Sequence, residues 1–168
     1  MAISTAAGIK FYIGSTNGPD LNQSDMAIIS DYEADFGTGA LLVGEIEDPG
    51  EFGDEVNPVT FTALADRRVR KFKGSYDAGT QTLTVAFDGE DAGQDALNAA
   101  LQDESQANYN FKFELSDRPD AGGTDTVFYY SGKVMSRRIQ PGNADNIVRA
   151  TVTIGINTPI FEVDSMGS

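Results

Sequence analysis

The chain has 168 residues, a formal net charge of −14 at pH 7, and neither cysteine nor histidine. These two absences exclude disulfides, thiolate metal sites, and the commonest general base and metal ligand of enzymes. The length suits one domain with a sizeable core, and no apolar run approaches the roughly 20 residues that span a bilayer. We therefore expect a single domain over residues 1–168 that is not an enzyme, needs no cofactor or metal, and does not insert into a membrane.

The acidic charge is unevenly distributed. Residues 1–66 carry a net charge of −11, whereas residues 67–168 carry −3. Such a surface repels nucleic acid, because DNA binding relies on Lys and Arg displacing counterions from phosphate. Two interpretations stay open: the charge serves solubility or salt adaptation, or it forms a surface that DNA passes without sticking. Because the N-terminus has no secretory signal pattern, we expect the protein to stay in the cell that makes it.

Alternation of apolar and polar residues with a period of two predicts antiparallel strands along most of the chain. In chain order the predicted strand segments are residues 9–14, 40–48, 59–76, 81–87, 109–115, 126–139 and 146–157. Between the first two lies a polar segment, 15–39, that shows no such pattern and has no assigned place in the fold. Residues 48–58 are dense in Gly, Pro and acidic residues, which predicts a long mobile loop.

One segment reads as a helix, over about residues 90–103. Asp91 and Gln94 resemble a capping box, and Leu97, Ala100 and Leu101 form one narrow apolar stripe. That stripe is too small for a helical core, so the helix should seal one flank of a sheet. The predicted fold class is therefore mainly β: an antiparallel two-sheet β-sandwich or barrel-like domain flanked by one α-helix.

No arrangement of residues matches a catalytic or metal-binding motif. Paired carboxylates leave a hydrolase as a remote alternative, but nothing marks the raised pKa that such an acid needs. A β-sandwich module that binds a small ligand through loops such as 15–39 is a second alternative. Its exposed aromatic residues would be Tyr32 and Phe36.

The only basic cluster contains Arg67, Arg68 and Arg70, followed by Lys71 and Lys73. One interpretation is a nucleic-acid patch, but the cluster is short and lies in a strongly acidic protein. The other is a partner for acidic residues on a second copy of the chain. Complementary charge on two different surfaces of one subunit favours head-to-tail association, which produces rings or filaments.

Residues 73–164 carry an ordered series of motifs. The series runs through "KGSYDAGTQTLTVAFDGEDAGQDALNAALQDESQANYNFKFEL" and "TVFYYSGKVMSRRIQPGNADNIVRATVTIGINTPIFEVD". It begins with a Gly-led strand, an apolar strand ending in an aromatic residue, and a helix with a G-x-x-A-L core. An aromatic-rich strand, a strand of the pattern F/Y-x-G-x-V-x-S, and a closing strand rich in Arg, Val and Thr follow. The matching residues are Gly93, Ala96 and Leu97 in the helix and Tyr130, Gly132, Val134 and Ser136 in the later strand.

In the order and spacing of these motifs, residues 73–164 resemble the major tail tube proteins of long-tailed, lambda-like bacteriophages. The resemblance implies a structural subunit made in the bacterial cytoplasm that assembles into stacked hexameric rings, with DNA passing through the channel without specific binding. It implies self-association and contacts with tape measure, terminator and tip proteins, in the tail of a phage or phage-like particle. A contractile tail or a secretion system with the same fold is the alternative.

Two groups of residues are candidates for these roles. The first group is expected to contact a neighbouring subunit. Its apolar members lie in or beside the acidic loop and are predicted to be buried only when that subunit arrives: Phe52, Val59 and Phe61. Its basic members are predicted to make charge contacts with the same neighbour: Arg67, Arg68 and Arg70. Ordering such a loop costs about 1–2 kcal/mol per residue for the backbone alone, so it should await a partner. Outward-facing acidic residues of strands are candidates for the channel wall: Glu45, Glu47 and Glu114.

Overall fold

A computed structural model describes residues 3–168. The described residues form ten strands and two helices. In chain order they are β1 (Lys10–Ile13), α1 (Asp25–Gly39), β2 (Leu41–Val43), β3 (Ile46–Asp48), β4 (Glu55–Thr62), β5 (Val69–Asp77), β6 (Thr80–Ala86), α2 (Ala92–Gln102), β7 (Tyr109–Glu114), β8 (Val127–Gln140), β9 (Arg149–Ile156) and β10 (Phe161–Val163).

The predicted mainly β, antiparallel architecture is confirmed. Eight strands form one sheet, in the order β2-β1-β7-β8-β9-β6-β3, with β10 added beside β8. The second sheet contains only β4 and β5, which form a hairpin. The layers of the sandwich therefore come from the large sheet folding over on itself, and the hairpin is a separate feature.

Strand β8 belongs to both layers. Residues 127–132 pair with β7, while residues 132–140 pair with β9, and the register shifts by one residue between Val134 and Ser136. A bulge of this kind is a common way for one strand to turn a corner between two layers. We call the first layer the first half; it consists of β2, β1, β7, β10 and residues 127–132 of β8. We call the second layer the four-strand half; it consists of β9, β6, β3 and residues 136–140 of β8.

The sheet curls because its two terminal strands follow each other in the chain. β2 ends at Val43 and β3 begins at Ile46, so the two edges lie within about 10 Å of one another along the chain. The sequence predicts one strand over residues 40–48; the structure instead breaks it at Gly44 and Glu45, and Glu45 has a positive φ of 58°. β2 and β3 do not pair with each other, so the barrel stays open.

The core lies between the two halves. It combines inward-facing residues of the four-strand half with aromatic residues of the first half and with one side of α2. Its fully buried members include Leu83, Ile154, Phe11, Phe111, Tyr130 and Leu97.

Helix α2 closes the gap between the halves. It is the helix that the sequence predicts at one flank of the sheet. The Asp91 carboxylate caps the helix by accepting from the Gln94 amide at 3.1 Å, and it also accepts from the Gly44 amide at 2.9 Å, between β2 and β3. The buried Gln94 side chain donates to the carbonyls of Gly44 and Ala86. Gly93 allows the close approach, because a Cβ there would lie 2.2 Å from the Leu42 carbonyl oxygen.

Helix α1 is the main difference from the prediction of a single helix. It lies within the unassigned segment 15–39, begins after the capping residue Ser24, and covers the outer face of the first half. Its buried residues recur every four positions: Ile28, Tyr32 and Phe36. They pack on Tyr129 and Phe161 in a second apolar cluster. Neither helix in the described part of the chain has the length and apolarity needed to cross a bilayer.

Candidate assembly surfaces

The β4–β5 hairpin presents an apolar face that is more than half exposed. In the register of the two strands Val59 lies opposite Phe72, and Phe61 lies opposite Arg70, so these side chains share one face. Val59, Phe61 and Phe72 are 54%, 56% and 57% exposed. On the other face Thr60 lies opposite Lys71, and Thr62 lies opposite Val69. We call Val59, Phe61 and Phe72 the hairpin apolar face. An isolated hairpin is only marginally stable in water, and exposed apolar patches mark interaction sites.

The basic residues of the sequence prediction lie at the tip of the same hairpin. Arg67 and Arg68 are in the turn and Arg70 is in β5, and all three are exposed. Asp66 accepts from the Arg68 amide at 3.1 Å and from the Arg70 guanidinium at 2.7 Å, and these contacts, the backbone one foremost, lower the pKa of its carboxyl. Arg67 and Arg68 form no ion pair with the described acidic residues. The hairpin therefore carries cationic charge beside its apolar face.

Phe52 does not follow the expectation for the loop. The sequence predicts that a neighbouring subunit buries it, but it packs within its own subunit, with ring centroids 5.0, 5.3 and 5.2 Å from those of Phe113, Phe128 and Tyr130. The loop before it is also held, because Gln81 donates to the Pro49 carbonyl at 2.9 Å. A role for Phe52 in assembly stays a prediction, and Val59 and Phe61 have the exposure that this role needs.

The outer face of the four-strand half is rich in hydroxyl groups. Thr82 lies opposite Thr153, and Thr84 lies opposite Thr151, while Ser136 continues the first of these rows on β8. No helix covers this face, in contrast to the outer face of the first half, which α1 covers. The charged residues of this face surround the hydroxyl groups, with Arg138 on β8, Arg149 on β9 and Asp48 on β3.

Both lateral edges of the four-strand half are unpaired in the described chain. Residues 136–140 of β8 pair only with β9, because β7 reaches no further than Gly132. At the opposite edge, β3 pairs only with β6. Unpaired edges of this kind are templates for pairing with another chain.

The three candidates for a channel wall occupy different places. Glu47 lies at the edge of the four-strand half and accepts from Arg149 at 2.5 Å, a contact that raises the pKa of Arg149. Glu45 lies in the exposed turn between β2 and β3. Glu114 lies in the first half, 3.4 Å from Lys112 and on the face that α1 covers. The structure thus brings Glu45 and Glu47 together and separates Glu114 from them.

A buried polar network holds α1 on the sheet, and the sequence analysis does not predict it. Asn110, which the strand pattern places outside, is fully buried. Its amide donates to Asp35 at 2.9 Å, and its carbonyl oxygen accepts from Ser131 at 2.8 Å. Asp35 also accepts from the Ser15 amide at 3.0 Å. The same helix buries Tyr32 and Phe36, the two aromatic residues that a ligand-binding loop would need to expose.

No protein-family model and no curated protein sequence matches this chain. Solved structures share its fold. One is the anti-feeding prophage (AFP) baseplate determined by cryo-EM with six-fold symmetrisation, with a TM-score of 0.69, 8% identity, and coverage of 98% of this chain and 97% of that chain. Another is the sheath/tube terminator of an extracellular contractile injection system, PVC, in the extended state, at TM-score 0.63, 9% identity, and coverage of 97% and 98%.

A third is the SPP1 tail tube, described by solid-state NMR and cryo-EM, with a TM-score of 0.59, 14% identity, and coverage of 93% of this chain and 76% of that chain. At these identities the likeness is one of fold. The chain thus has the fold found in components of phage tails and contractile injection systems.

Proposed function

We propose that this chain is a structural subunit of a tail tube, and that it assembles head to tail into stacked six-membered rings around a channel. The observation that carries the proposal is the four-strand half, which has one unpaired edge on each side. Copies arranged side by side would join these halves into one continuous barrel and leave no edge of the four-strand half exposed. The six-fold symmetrisation of the AFP baseplate supports six as the ring size.

The channel would be lined by the outer face of the four-strand half. The outer face of the first half is covered by α1, so it is the less suitable lining for a smooth barrel. The wall would then consist mainly of Thr82, Thr84, Thr151 and Thr153, with Glu47 neutralised by Arg149 and Glu45 near the rim. Apart from Arg138 at the edge and Arg149, which is bound to Glu47, this wall offers phosphate no cation, so DNA would pass without specific binding.

The hairpin would connect one ring to the next. Its apolar face would be buried against the neighbouring ring, where its burial contributes about 25 cal/mol per Å² of apolar area. The charges of Arg67 and Arg68 would meet acidic residues of that ring, in a subunit whose net charge is −14. Tape measure, terminator and tip proteins would complete the tail, and the protein would belong to the virion after synthesis in the cytoplasm.

The tube of a contractile particle is the second candidate. The AFP baseplate and the PVC terminator match this chain over 97% or more of both lengths, and both come from particles other than the SPP1 tail. The genes beside this one separate the two candidates, because a contractile tail needs a sheath subunit and a non-contractile tail does not. A sheath gene in the same operon supports the second candidate.

Electron microscopy of the purified protein tests the shared part of the proposal. The protein should be imaged in negative stain over a range of concentrations, with and without a nucleating tail-tip complex, while light scattering follows its mass. We expect rings and hollow tubes. Compact monomers under every one of these conditions would contradict the tube function.

A further inference from the structure

We infer that residues 136–140 of β8 in one copy pair with β3 of the next copy, and that Arg138 of the first lies beside Asp48 of the second. This inference rests on the proposed function, because it names the contact that closes each ring. The occupant of each free edge is a second copy of this chain. Strand direction, the residues in each row and the charge at each edge support this contact.

The direction of the strands fits a head-to-tail contact. All pairs in the four-strand half are antiparallel, so its four strands alternate and its two outer strands run in opposite directions. When identical copies are placed side by side by rotation about one axis, β8 of one therefore meets β3 of the next in antiparallel orientation. The contact continues the same ladder that joins the strands within each copy.

The residues of each cross-strand row also match. On the outer face one row runs from Arg138 through Thr151 and Thr84 to Asp48. It begins with a cation at one edge and ends with an anion at the other. If the register of the four strands continues unshifted across the junction, a head-to-tail contact brings these two ends together. Opposite charges placed directly across a strand pair are stabilising.

The next row, on the core-facing side, is apolar at both ends. It runs from Ile139 through Ala150 and Val85 to Ile46. Ile139 is 42% exposed because no strand lies beyond it, and Ile46 is half-buried. The same contact therefore places Ile139 beside Ile46 of the neighbouring copy and removes both from water.

Within one copy the two charges are not joined. Arg138 forms no ion pair with the described acidic residues, whereas the nearby Arg149 is bound to Glu47. Asp48 accepts only from the Gly50 amide, at 2.9 Å. The edges lie three strand spacings apart, about 14 Å along the sheet, so the pair cannot form inside one subunit.

A charge-swap experiment tests the inference in the full-length protein. Arg138→Glu and Asp48→Lys are made separately and together, and ring formation is followed by negative-stain microscopy and light scattering. Each single variant places like charges at every contact of a ring, so we expect both to lose rings at concentrations where the wild type forms them. The double variant restores opposite charges and should regain rings.

Mixing the two single variants gives a sharper result. In a ring where they alternate, each contact joins either the two mutated positions or the two native ones, and both combinations are attractive. An equimolar mixture should therefore form rings although neither component does, which general misfolding would not produce. Thermal melting of each single variant and of Asp145→Lys, a change of the same kind on an exposed loop, shows whether the monomers remain folded.

The outcomes separate the inference from the proposed function. If the wild type forms rings and both single variants form them equally well, this edge contact is wrong and the tube function stands. If folded single variants fail but neither the double variant nor the mixture recovers, the pairing of Arg138 with Asp48 is wrong. If the wild type forms no rings under any condition, the proposed function itself fails.

Discussion

The hydroxyl oxygen of Tyr32 lies 2.7 Å from the Oγ atom of Ser131, and this contact joins α1 to β8 beneath the surface. Ser131 in turn contacts Asn110, and Asn110 contacts Asp35 on the next turn of the same helix. A helix that packs through one row of apolar side chains has little else to fix its rotation. The network therefore adds directional contacts on the face of α1 that its apolar row buries against the sheet.

Replacing Asp35 with alanine should destabilise the subunit. The change removes the acceptor for the Ser15 amide and hydroxyl and for the buried Asn110 amide. Leaving buried donors without a partner costs about 1–3 kcal/mol. Asp31→Ala, on the exposed side of the same helix, is the control and should change the free energy of unfolding by less than about 0.5 kcal/mol. Urea unfolding followed by circular dichroism measures both, and equal values for the two variants would contradict the role of the network.

Glycine should be required in α2 and dispensable in α1. A Cβ on Gly93 would lie 2.2 Å from the Leu42 carbonyl oxygen, whereas a Cβ on Gly37 would meet nothing within 4 Å. Gly93→Ala must push the helix from β2, so we expect a loss of about 1–3 kcal/mol. Gly37→Ala should stabilise by about 0.5–1 kcal/mol, since alanine is the better helix former. Chemical unfolding measures the free energy of unfolding of both variants. A Gly93→Ala protein as stable as the wild type would refute the close helix–strand contact.

The buried Asp125 should make stability depend on pH in the acid range. The Arg118 guanidinium, 2.8 Å away, is the main cause of the lowered pKa of this carboxyl, and the Arg118 backbone amide contributes. A lowered pKa stabilises the fold above the unfolded value of about 3.9, and this stabilisation is lost as the pH falls through the folded value.

Asp125→Asn cannot make this contribution. The difference in unfolding free energy between the wild type and this variant should therefore be largest above about pH 5 and should shrink toward pH 2. Thermal melts across this range measure the difference. A difference in unfolding free energy that stays constant with pH would show that the charge of Asp125 does not cause the pH dependence.

Removing the hairpin apolar face should stop assembly without unfolding the subunit. The variant carries Val59→Thr, Phe61→Thr and Phe72→Thr, and threonine keeps the preference for strand. Since all three side chains are more than half exposed, we expect the monomer's unfolding free energy to change by no more than about 0.5 kcal/mol per site. Sedimentation and electron microscopy should show no tubes. Tubes of normal length from this variant would mean that the hairpin face is not a contact between rings.

Reversing the charge at the hairpin tip should weaken assembly through electrostatics. The variant carries Arg67→Glu, Arg68→Glu and Arg70→Glu, all at exposed positions. We expect a folded monomer and a higher protein concentration for tube formation. Added salt should reduce the difference in this concentration between the variant and the wild type. The reason is that salt screens exposed charges, with a Debye length of about 8–10 Å near physiological ionic strength. Tube formation at the wild-type concentration would remove the proposed charge contact.

Local patterns in the sequence are sufficient to predict the strands of the core and α2. Leu83 and Val85 alternate with threonines, and Asp91 precedes the stripe of α2, so each element is specified by its own residues. Helix α1 was missed because its acidic and glycine residues obscure a single apolar row at every fourth position. The spacing of Ile28, Tyr32 and Phe36 was the signal that could have revealed it.

The candidate site was harder to predict because it depends on which edges remain free. The alternation over residues 40–48 looks continuous, yet the turn at Glu45 sends β2 and β3 to opposite ends of the sheet. Asp48 and Arg138 are 90 residues apart in the chain and acquire a common row only through the register of four strands. No local pattern contains that information.

The alternation of strand direction in the four-strand half constrains how such a protein can evolve. With an even number of strands, the two sides of the unit fit each other in the same antiparallel way at every junction. Gain or loss of a single strand would leave both outer strands pointing the same way and force a parallel junction. Related subunits that close into rings by this contact should therefore change their strand number in pairs, while insertions accumulate in loops such as the hairpin.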